Sequence, residues 1–211
     1  MINTQNMKDQ KVKISGSLIF WLSKRFFDLF ISFLLLFVLI PLIPLIGILN
    51  RFYNEGPIFY VQKRMGKDCM PFYAIKLRTM INIDTIKRKH DEPLETDRIT
   101  VLGNVLRKFR IDELPQIINV IKGDMSLIGP RPDYYEHAVM FLEDDINYRY
   151  RHVIRPGISG LSQIRLGYAE GIDATRKKSR VDIFYIKNAN FFLDFKIFYS
   201  TIFIILWRSG T

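Results

Sequence analysis

The longest apolar run of the chain covers residues 29–50, with the sequence LFISFLLLFVLIPLIPLIGILN. It is long enough for a transmembrane helix, which needs roughly 20 apolar residues. Pro41 and Pro44 fall near its middle, and proline removes a backbone donor and clashes with the preceding turn. We therefore expect a kink or break near Ile40–Pro41. The unbroken arm over residues 29–40 would rise about 18 Å, whereas the hydrocarbon core is about 30 Å thick.

Basic residues flank the apolar run on both sides. The flanking residues are Lys8, Lys11, Lys13, Lys24 and Arg25 before it, and Arg51, Lys63, Arg64 and Lys67 after it. The positive-inside rule places basic flanks on the cytoplasmic side. A helix that enters one leaflet and returns would place both basic flanks on the cytoplasmic face. The sequence therefore favours a re-entrant helix (helix–break–helix) over residues 24–51, with a true span as the alternative. Residues 1–23 read as a polar, basic leader without a signal-peptide cleavage site.

Shorter elements follow the apolar run. Residues 54–80 alternate apolar and polar positions, which predicts two strands joined by a turn near Met65–Met70. Residues 101–110 have helical spacing. Residues 112–123 predict a second helix with Asp112 at or near the N-cap, Pro115 in the first turn and Gly123 as its stop.

The last third of the chain predicts two further helical regions. Residues 133–152 predict one helix, and residues 190–207, which are apolar and aromatic, suit a helix lying in the membrane interface. Residues 81–100 are polar and interrupted by proline, which predicts a mobile loop or a weak helix. The fold class expected is α/β and mainly helical: a re-entrant membrane helix, a small α/β domain and interfacial amphipathic helices.

The composition adds a strong positive charge to this picture. The 211 residues include 31 Lys and Arg against 21 Asp and Glu, a formal net charge of +10. Such an excess suits an anionic partner: nucleic acid, anionic lipid or a phosphorylated substrate. A nucleic-acid partner is not expected, because the basic residues accompany a membrane segment and no recognised binding motif is present. The single Cys69 excludes an internal disulfide framework.

Candidate chemistry is carried by carboxylates and arginines near Gly and Pro turns. The chain has no zinc-ligand spacing, no phosphate-binding glycine loop and no nucleophile elbow. It does have the adjacent acids Asp112 and Glu113, and adjacent carboxylates suit a hard divalent cation. The planar guanidinium group of arginine can donate two parallel hydrogen bonds to phosphate oxygens. Each feature alone also fits a helix cap, a turn or a solvated strand face.

Taken together and in order, these stretches resemble the bacterial sugar transferase family, the monotopic polyprenyl-phosphate phosphoglycosyl transferases. The matching stretches are KRFFDLF, GPIFYVQKRMG, IKLRTM, LRKFRIDELPQIINVIKGDMSLIGPRP, YRHVIRPGISGLSQI, and VDIFYIKN with FFLDFKI. They cover most of the chain from about residue 24 onwards. The resemblance implies that residues 52–211 form a cytosolic, membrane-associated catalytic domain, at the cytoplasmic face of the bacterial inner membrane.

The resemblance also implies a reaction. A UDP-sugar would donate a sugar 1-phosphate to a polyprenyl (undecaprenyl) phosphate with release of UMP, as the first membrane step of a bacterial glycoconjugate pathway. Asp112 would be the nucleophile and form a covalent phosphosugar intermediate, while Glu113, with Asp112 beside it, would hold Mg²⁺. The positions implied for substrate and phosphate binding are Lys76, Arg78, Arg107, Arg131, Arg155 and Asp182.

Two departures from the family pattern and two alternative functions remain. The family often has Ser before the helix-breaking proline and Trp-Ala in the later Gly turn, where this chain has Ile40 and Leu161-Ser162. One alternative is a transferase that works by a single displacement, without a covalent intermediate. The other is a basic membrane scaffold without enzymatic activity. Neither the sugar nor the oligomeric state follows from the residues.

Overall fold

The computed structural model describes residues 12–54, 56–81, 96–167 and 172–207, and these segments form a mainly helical α/β fold. Residues 1–11 of the predicted leader and residues 82–95 of the predicted loop lie outside the described residues. The helices are α1 (Leu18–Tyr53), α2 (Val101–Lys108), α3 (Gln116–Lys122), α4 (Tyr135–Asp144), α5 (Leu161–Leu166), α6 (Ile172–Asn188) and α7 (Phe191–Trp207). The strands are β1 (Phe59–Met65), β2 (Pro71–Leu77), β3 (Ser126–Ile128) and β4 (Gly157–Ser159).

Helix α1 is 36 residues long and includes both prolines of the apolar run. Ser17 caps it, because its Oγ accepts a hydrogen bond from Phe20 N at 3.1 Å. The chain stays helical at the predicted break, because the helix continues through Pro41 and Pro44. Each proline still leaves one carbonyl of the preceding turn without its intrahelical donor. By length and composition, α1 is the one helix of the described segments that could cross a membrane.

The N-terminal part of α1 is fastened to the rest of the molecule by charged side chains. Lys24 Nζ lies 2.6 Å from Asp194 Oδ2 on α7, and Asp28 Oδ1 accepts from Leu127 N on β3 at 3.0 Å. Arg25 donates to the carbonyls of Val120 and Ile121, at 2.8 and 3.2 Å. Such buried charges are tolerated because each has a partner.

The C-terminal part of α1 is fastened separately. Ile46 packs in a cluster with Leu77, Leu102 and Leu106, and Asn54 Nδ2 donates to Arg78 O at 2.8 Å. Between the two attachments the helix exposes its large apolar side chains. These are Phe33, Leu34, Phe37, Val38, Ile40 and Leu45. An exposed apolar stretch of this size marks an interaction surface, and a lipid bilayer fits its composition.

The strands form two small sheets. Strands β1 and β2 pair antiparallel from Phe59↔Leu77 to Met65↔Pro71, with a 3₁₀ turn at Lys67–Cys69, which confirms the predicted strand–turn–strand. Strands β3 and β4 pair in parallel, with Ser126 opposite Gly157. This second sheet brings the sequence GPRP, after β3, beside the sequence RPGISG, around β4.

Glycines allow the two segments of the second sheet to touch. A Cβ at Gly157 would lie 2.1 Å from Gly129 N, and a Cβ at Gly160 would lie 2.4 Å from Gly129 O. Real Cβ atoms do not approach backbone atoms so closely. The glycines of GPRP and RPG are therefore needed for backbone packing. This requirement goes beyond the role in an ordinary turn that the sequence alone also allowed.

The helix predicted from Asp112 begins later in the structure. Asp112 is not its N-cap: it lies in a 3₁₀ turn, Ile111–Glu113, and α3 starts at Gln116 with Pro115 before it. Gly123 ends α3 in the left-handed region at φ 95°, as predicted. The helix predicted over residues 101–110 is confirmed as α2.

The region predicted as one helix over residues 133–152 contains two elements. Helix α4 ends at Asp144, and a 3₁₀ segment, Ile146–His152, follows. Asp145 separates them, because it has extended backbone angles and its side chain accepts from Asn147 N at 2.9 Å. Local side-chain hydrogen bonds of this kind compete with helix continuation.

Helix α7 confirms the predicted C-terminal helix and has two different sides. Ile197 is 1% exposed and belongs to the main core, which also contains Val120, Met125 and Ile186. The other side is exposed and aromatic, with Phe191, Phe192, Phe195, Tyr199 and Phe203. A membrane-interface position for this side stays a prediction.

Candidate active site

The adjacent acids lie in a tight turn between α2 and α3. Arg110, just before this turn, has φ 57°, a left-handed conformation that is uncommon for a residue with a side chain. It turns the chain sharply after α2, so that Asp112 and Glu113 face β2 and the loop after β3. Both acids are 8% exposed.

Glu113 is held by cations from two other elements. Lys76 Nζ on β2 donates to Glu113 Oε1 at 2.7 Å. Arg131, in the loop after β3, donates to both carboxylate oxygens, with Nη1 to Oε2 at 3.1 Å. Burial alone would raise the pKa of Glu113, but the charges of Arg131 and Lys76 and their hydrogen bonds hold this pKa well below its usual range. Glu113 is therefore ionised at neutral pH.

Asp112 has a different environment. Among the described residues, no hydrogen bond or ion pair within ordinary distance joins its carboxylate. Burial raises its pKa, and the neighbouring negative charge of Glu113 raises it further, against the opposing charges of Lys76, Arg107 and Arg131. Asp112 is thus a desolvated carboxylate facing several cations without being paired to one.

Lys76 is itself perturbed by the site. Burial lowers its pKa from the ordinary value to about 8, although Glu113 acts in the opposite direction. Arg107, from α2, lies close enough to affect the pKa of Asp112. The structure therefore brings together Asp112, Glu113, Lys76, Arg107 and Arg131, from four separate segments.

Arg78 has backbone partners. Its Nε donates to Pro57 O at 2.7 Å and its Nη1 to Met80 O at 3.0 Å, and Nη2 donates to Asn54 O. The side chain joins the segment after α1 to the end of β2. Its predicted part in phosphate binding has no support from these contacts and stays a prediction.

Arg155 lies at the other end of α3 from the acid pair. Its Nε donates to Gly123 O at 2.8 Å, next to the carbonyls that Arg25 holds. Asp112 precedes the start of α3, and a helix of seven residues is about 10 Å long. The structure therefore does not bring Arg155 into contact with the acids, and its guanidinium remains exposed.

Asp182 lies on α6 in a buried ionic cluster with Arg151, Asp133, Lys178 and Tyr148. Arg151 Nη2 donates to Asp182 Oδ2 at 2.6 Å, while its Nη1 pairs with Asp133. Lys178 also pairs with Asp133, and Tyr148 OH donates to Asp133 Oδ2 at 2.5 Å. These partners hold the pKa of Asp133 far below its usual range, despite its burial. Asp182 thus contacts a buried arginine of the protein instead of lying with Asp112.

Sequence reasoning missed this cluster and the polar fastenings of α1. A signal was present: Asp182 stands alone in the apolar stretch VDIFYI, and Asp28 stands alone in FFDLF. A charged residue is almost never fully buried without a partner. A lone acid on an otherwise apolar helix therefore predicts a buried cation, but the sequence does not say which one.

Asp112 and Glu113 are the residues of this site that could act as ligands for a divalent cation. Mg²⁺ in phosphoryl-transfer sites takes one or two carboxylates together with substrate phosphates. Asp112 has no protein partner among the described residues, whereas both oxygens of Glu113 already accept from cations. The described residues hold no cluster of three or more His, Cys, Asp or Glu that forms a complete metal cage. A metal here would share its ligands with the substrate.

Comparison with known proteins places the chain in a family. The family model described as bacterial sugar transferase matches residues 19–208. The UDP-N-acetylgalactosamine-undecaprenyl-phosphate N-acetylgalactosaminephosphotransferase of Aeromonas hydrophila is 43% identical over 166 residues, which are 77% of this chain. The uncharacterized sugar transferase EpsL of Bacillus subtilis is 36% identical and covers 89% of this chain.

A third relative is the UDP-glucose:undecaprenyl-phosphate glucose-1-phosphate transferase of Escherichia coli, 33% identical over 86% of this chain. The lengths differ: the matched region is 38% of the Aeromonas relative and 40% of the Escherichia coli relative, but 89% of EpsL. The acid pair, the basic residues around it and the apolar helix all lie inside the matched residues 19–208. The chain therefore belongs to the bacterial sugar transferase family, as its motifs predicted.

Proposed function

We propose that the protein transfers a sugar 1-phosphate from a UDP-sugar to polyprenyl phosphate in two displacements. First, an Asp112 carboxylate oxygen attacks the phosphorus that bears the sugar, a new O–P bond forms, and the pyrophosphate bond breaks with release of UMP. Next, an oxygen of the lipid phosphate attacks the same phosphorus, which frees Asp112 and leaves the sugar on a lipid diphosphate. A carboxylate nucleophile thus divides one difficult transfer into two easier ones.

The contrast between the two acids is the observation that carries this proposal. Glu113 pairs with Lys76 and Arg131, whereas Asp112 is buried and has no such partner among the described residues. A desolvated, unpaired carboxylate is a stronger nucleophile than a solvated or ion-paired one. The nearby positive charges of Lys76, Arg107 and Arg131 suit the charge that develops on a transferring phosphoryl group.

Mg²⁺ is the proposed cofactor. It would bind at Asp112 and Glu113 together with the donor's phosphates and screen their negative charge, which allows an anionic nucleophile to approach. The low pKa of Glu113 suits this role, because a metal ligand must be deprotonated. Metal binding at Glu113 would compete with Lys76 or Arg131 for the same oxygens.

The proposed location is the cytoplasmic face of the bacterial inner membrane, with α1 as a re-entrant helix. Both attachments of α1 support this. Lys24, near its start, and Asn54, just after its end, each bind polar partners of the same catalytic region. A spanning helix would carry its two ends to opposite sides of a hydrocarbon core about 30 Å thick. Polar partners for both ends then could not lie in one aqueous domain.

Release of UMP tests the proposal. With a UDP-sugar and Mg²⁺ but no lipid acceptor, the purified protein should release UMP in an amount close to one per active site. Mass spectrometry should find sugar phosphate on the peptide that contains Asp112. The donor panel begins with UDP-N-acetylgalactosamine and UDP-glucose, since the names of the relatives contain both.

Two variants make the test specific. Asp112→Asn should abolish both UMP release and labelling, while Asp173→Asn, an exposed acid on α6, serves as the control and should retain both. UMP release that appears only after polyprenyl phosphate is added would favour the single-displacement alternative. Full turnover by Asp112→Asn would remove the nucleophile assignment.

A further inference from the structure

The loop that carries Arg131 is held by its backbone carbonyls. Arg64 Nη1 donates to Pro132 O at 2.9 Å, and Met65 N donates to Asp133 O at 3.1 Å. Gly157 N donates to Pro130 O at 2.9 Å. The carbonyl of Arg131 itself accepts from Arg151 Nη2 at 2.8 Å.

Among these donors, Arg151 is a fully buried charged side chain. Its side chain is 0% exposed, and its guanidinium binds Asp182 through Nε at 3.0 Å and through Nη2 at 2.6 Å. The same Nη2 reaches the carbonyl of Arg131. Both nitrogens donate to the same oxygen, Asp182 Oδ2, and this two-donor contact restrains the plane of the guanidinium and with it the direction of the hydrogen bond to Arg131 O.

A continuous chain of contacts thus runs from α6 to the acid pair. It passes from Asp182 to Arg151, from Arg151 to the backbone of Arg131, and from the side chain of Arg131 to both oxygens of Glu113. The guanidinium of Arg131 has another fixed contact, since its Nη1 lies 3.3 Å from Ile158 O on β4. A shift of the Arg131 backbone would therefore move the guanidinium of Arg131 away from Glu113.

We propose that Arg151, oriented by Asp182, is a positioning residue that fixes Arg131 against Glu113 for the transfer reaction. This inference rests on the proposed function, because it concerns the same acid pair. It assigns Asp182 to the support of Arg131 instead of to direct substrate binding. Buried, hydrogen-bonded arginines suit this work because their donors have a fixed planar geometry.

A double-variant cycle in UMP release tests the proposal. Arg131→Gln removes this guanidinium and should lower kcat/KM by about 100-fold. Arg151→Lys keeps the charge between Asp133 and Asp182 but cannot supply both the paired donors and the carbonyl contact, so it should lower kcat/KM by about 100-fold through misplacement of Arg131. The combined variant should lose about 100-fold, not the roughly 10,000-fold that independent effects multiply to.

The control is Lys178→Met. Lys178 pairs with Asp133 in the same buried cluster, but it makes no hydrogen bond to the loop carbonyl of Arg131. If the cluster matters only for folding, Lys178→Met and Arg151→Lys should lower the melting temperature and the activity in parallel. Combining Arg131→Gln with either variant should then lower kcat/KM by a further factor of about 100. Additivity of Arg131→Gln with Arg151→Lys would overturn the proposal.

A second variant covers the case in which Arg151→Lys does not fold. Asp182→Asn keeps the shape of the side chain and removes the charge that orients Arg151. It should lower kcat while leaving the KM for the UDP-sugar within about twofold, as expected for a residue that acts on the transition state. A large rise in KM with unchanged kcat would show direct substrate binding and overturn the proposal.

The wild-type protein separates this inference from the proposed function. No UMP release by the wild type with any donor would defeat the proposed function. Normal UMP release by the wild type combined with additive variants would defeat only the positioning role of Arg151.

Discussion

At the scale of single residues, the site shifts the pKa values of two neighbouring carboxylic acids, Asp112 and Glu113, in opposite directions. Glu113 has a lowered pKa because Arg131 and Lys76 oppose the effect of its burial. Asp112 has a raised pKa because burial and the charge of Glu113 act together. Environments that move two titratable groups in opposite directions often mark the assignment of roles in catalysis.

The pH dependence of kcat/KM should be bell-shaped. Asp112 must be ionised to attack, and its pKa is raised, so activity should increase with pH through a limb above the ordinary Asp value of about 4. Lys76 must stay protonated to hold Glu113, and its pKa is about 8, so activity should fall as pH rises through about 8. Initial rates of UMP release between pH 4 and 10 measure both limbs.

Lys76→Arg provides the comparison for the alkaline limb. Arginine stays charged throughout this range, so the variant should lose the fall near pH 8 even if its maximal rate is lower. An alkaline limb that stays in place in Lys76→Arg would show that another group titrates there.

Glu113→Gln should weaken activation by Mg²⁺. The variant removes the negative charge that would bind the metal, so half-maximal activation should need at least about tenfold more Mg²⁺. Asp173→Asn is again the control, and metal titrations of UMP release measure the shift. An unchanged titration curve in Glu113→Gln would exclude Glu113 from the metal site.

The sequence shows the acid pair but not its partners. The run of Asp112 and Glu113 before Pro115 is visible in the sequence, and the structure places Lys76, Arg107 and Arg131, which the family resemblance implied for phosphate binding, close to the acids. Arg78 is also an arginine at a motif position, yet its guanidinium donates to backbone carbonyls. Long side chains can turn in several directions, and only the packed structure selects one.

At the scale of elements, the parallel pair β3–β4 depends on the absence of side chains. Gly129, Gly157 and Gly160 place the GPRP loop and the RPGISG segment at backbone contact. This contact sets the distance between Arg131 and Ile158 O. The sequence showed glycines in turns, but the partner of each turn is about 30 residues away and follows only from the fold.

Gly157→Ala should destabilise the protein strongly. The added Cβ would meet Gly129 N at 2.1 Å and Gly129 O at 2.6 Å, so the two segments must separate. We expect a loss of at least about 3 kcal/mol in the free energy of unfolding, at the upper end of overpacking effects. Denaturant unfolding in detergent, monitored by circular dichroism, measures the change.

Gly167→Ala controls for backbone preference. Gly167 has φ 66° and ψ −148°, a backbone region almost restricted to glycine, and its Cβ would meet no atom of the described residues within 4 Å, so only the backbone conformation is penalised, by about 1–3 kcal/mol. A smaller loss in Gly157→Ala than in Gly167→Ala would show that the second sheet opens without cost.

The boundaries of helices were harder to predict than their existence. Sequence rules place Asp112 at a helix N-cap, but the left-handed Arg110 and the 3₁₀ turn after it delay α3 to Gln116. In α1 the helix continues through Pro41 and Pro44, and the kink predicted near Ile40–Pro41 stays a prediction. The start of α3 shows that a local turn can override an N-cap preference.

At the scale of the whole molecule, α1 is attached at both ends and exposed between them. Labelling of single cysteines tests the re-entrant arrangement. In a Cys69→Ser background, Lys13→Cys and Arg51→Cys place thiols at exposed positions beyond the start and near the end of α1. A membrane-impermeant maleimide added to intact spheroplasts should label neither, and labelling of lysed cells should modify both.

The lysed sample is the control for thiol access, because it shows that each position can react. Labelling of one position in intact spheroplasts would support a spanning helix and contradict the re-entrant proposal. Labelling of both would place the catalytic region outside the cell, where UDP-sugars are not made.

Helix α3 connects the apolar helix α1 to the turn that carries Asp112 and Glu113. Arg25 of α1 holds the carbonyls at one end of α3, and the turn with Asp112 leads into the other end. In the proposed reaction, with α1 held in a bilayer, this short rod of about 10 Å would set the height of Asp112 above the lipid. The proposed nucleophile would then stay at one depth, and the lipid phosphate, on its long hydrocarbon chain, would be the partner that moves to it.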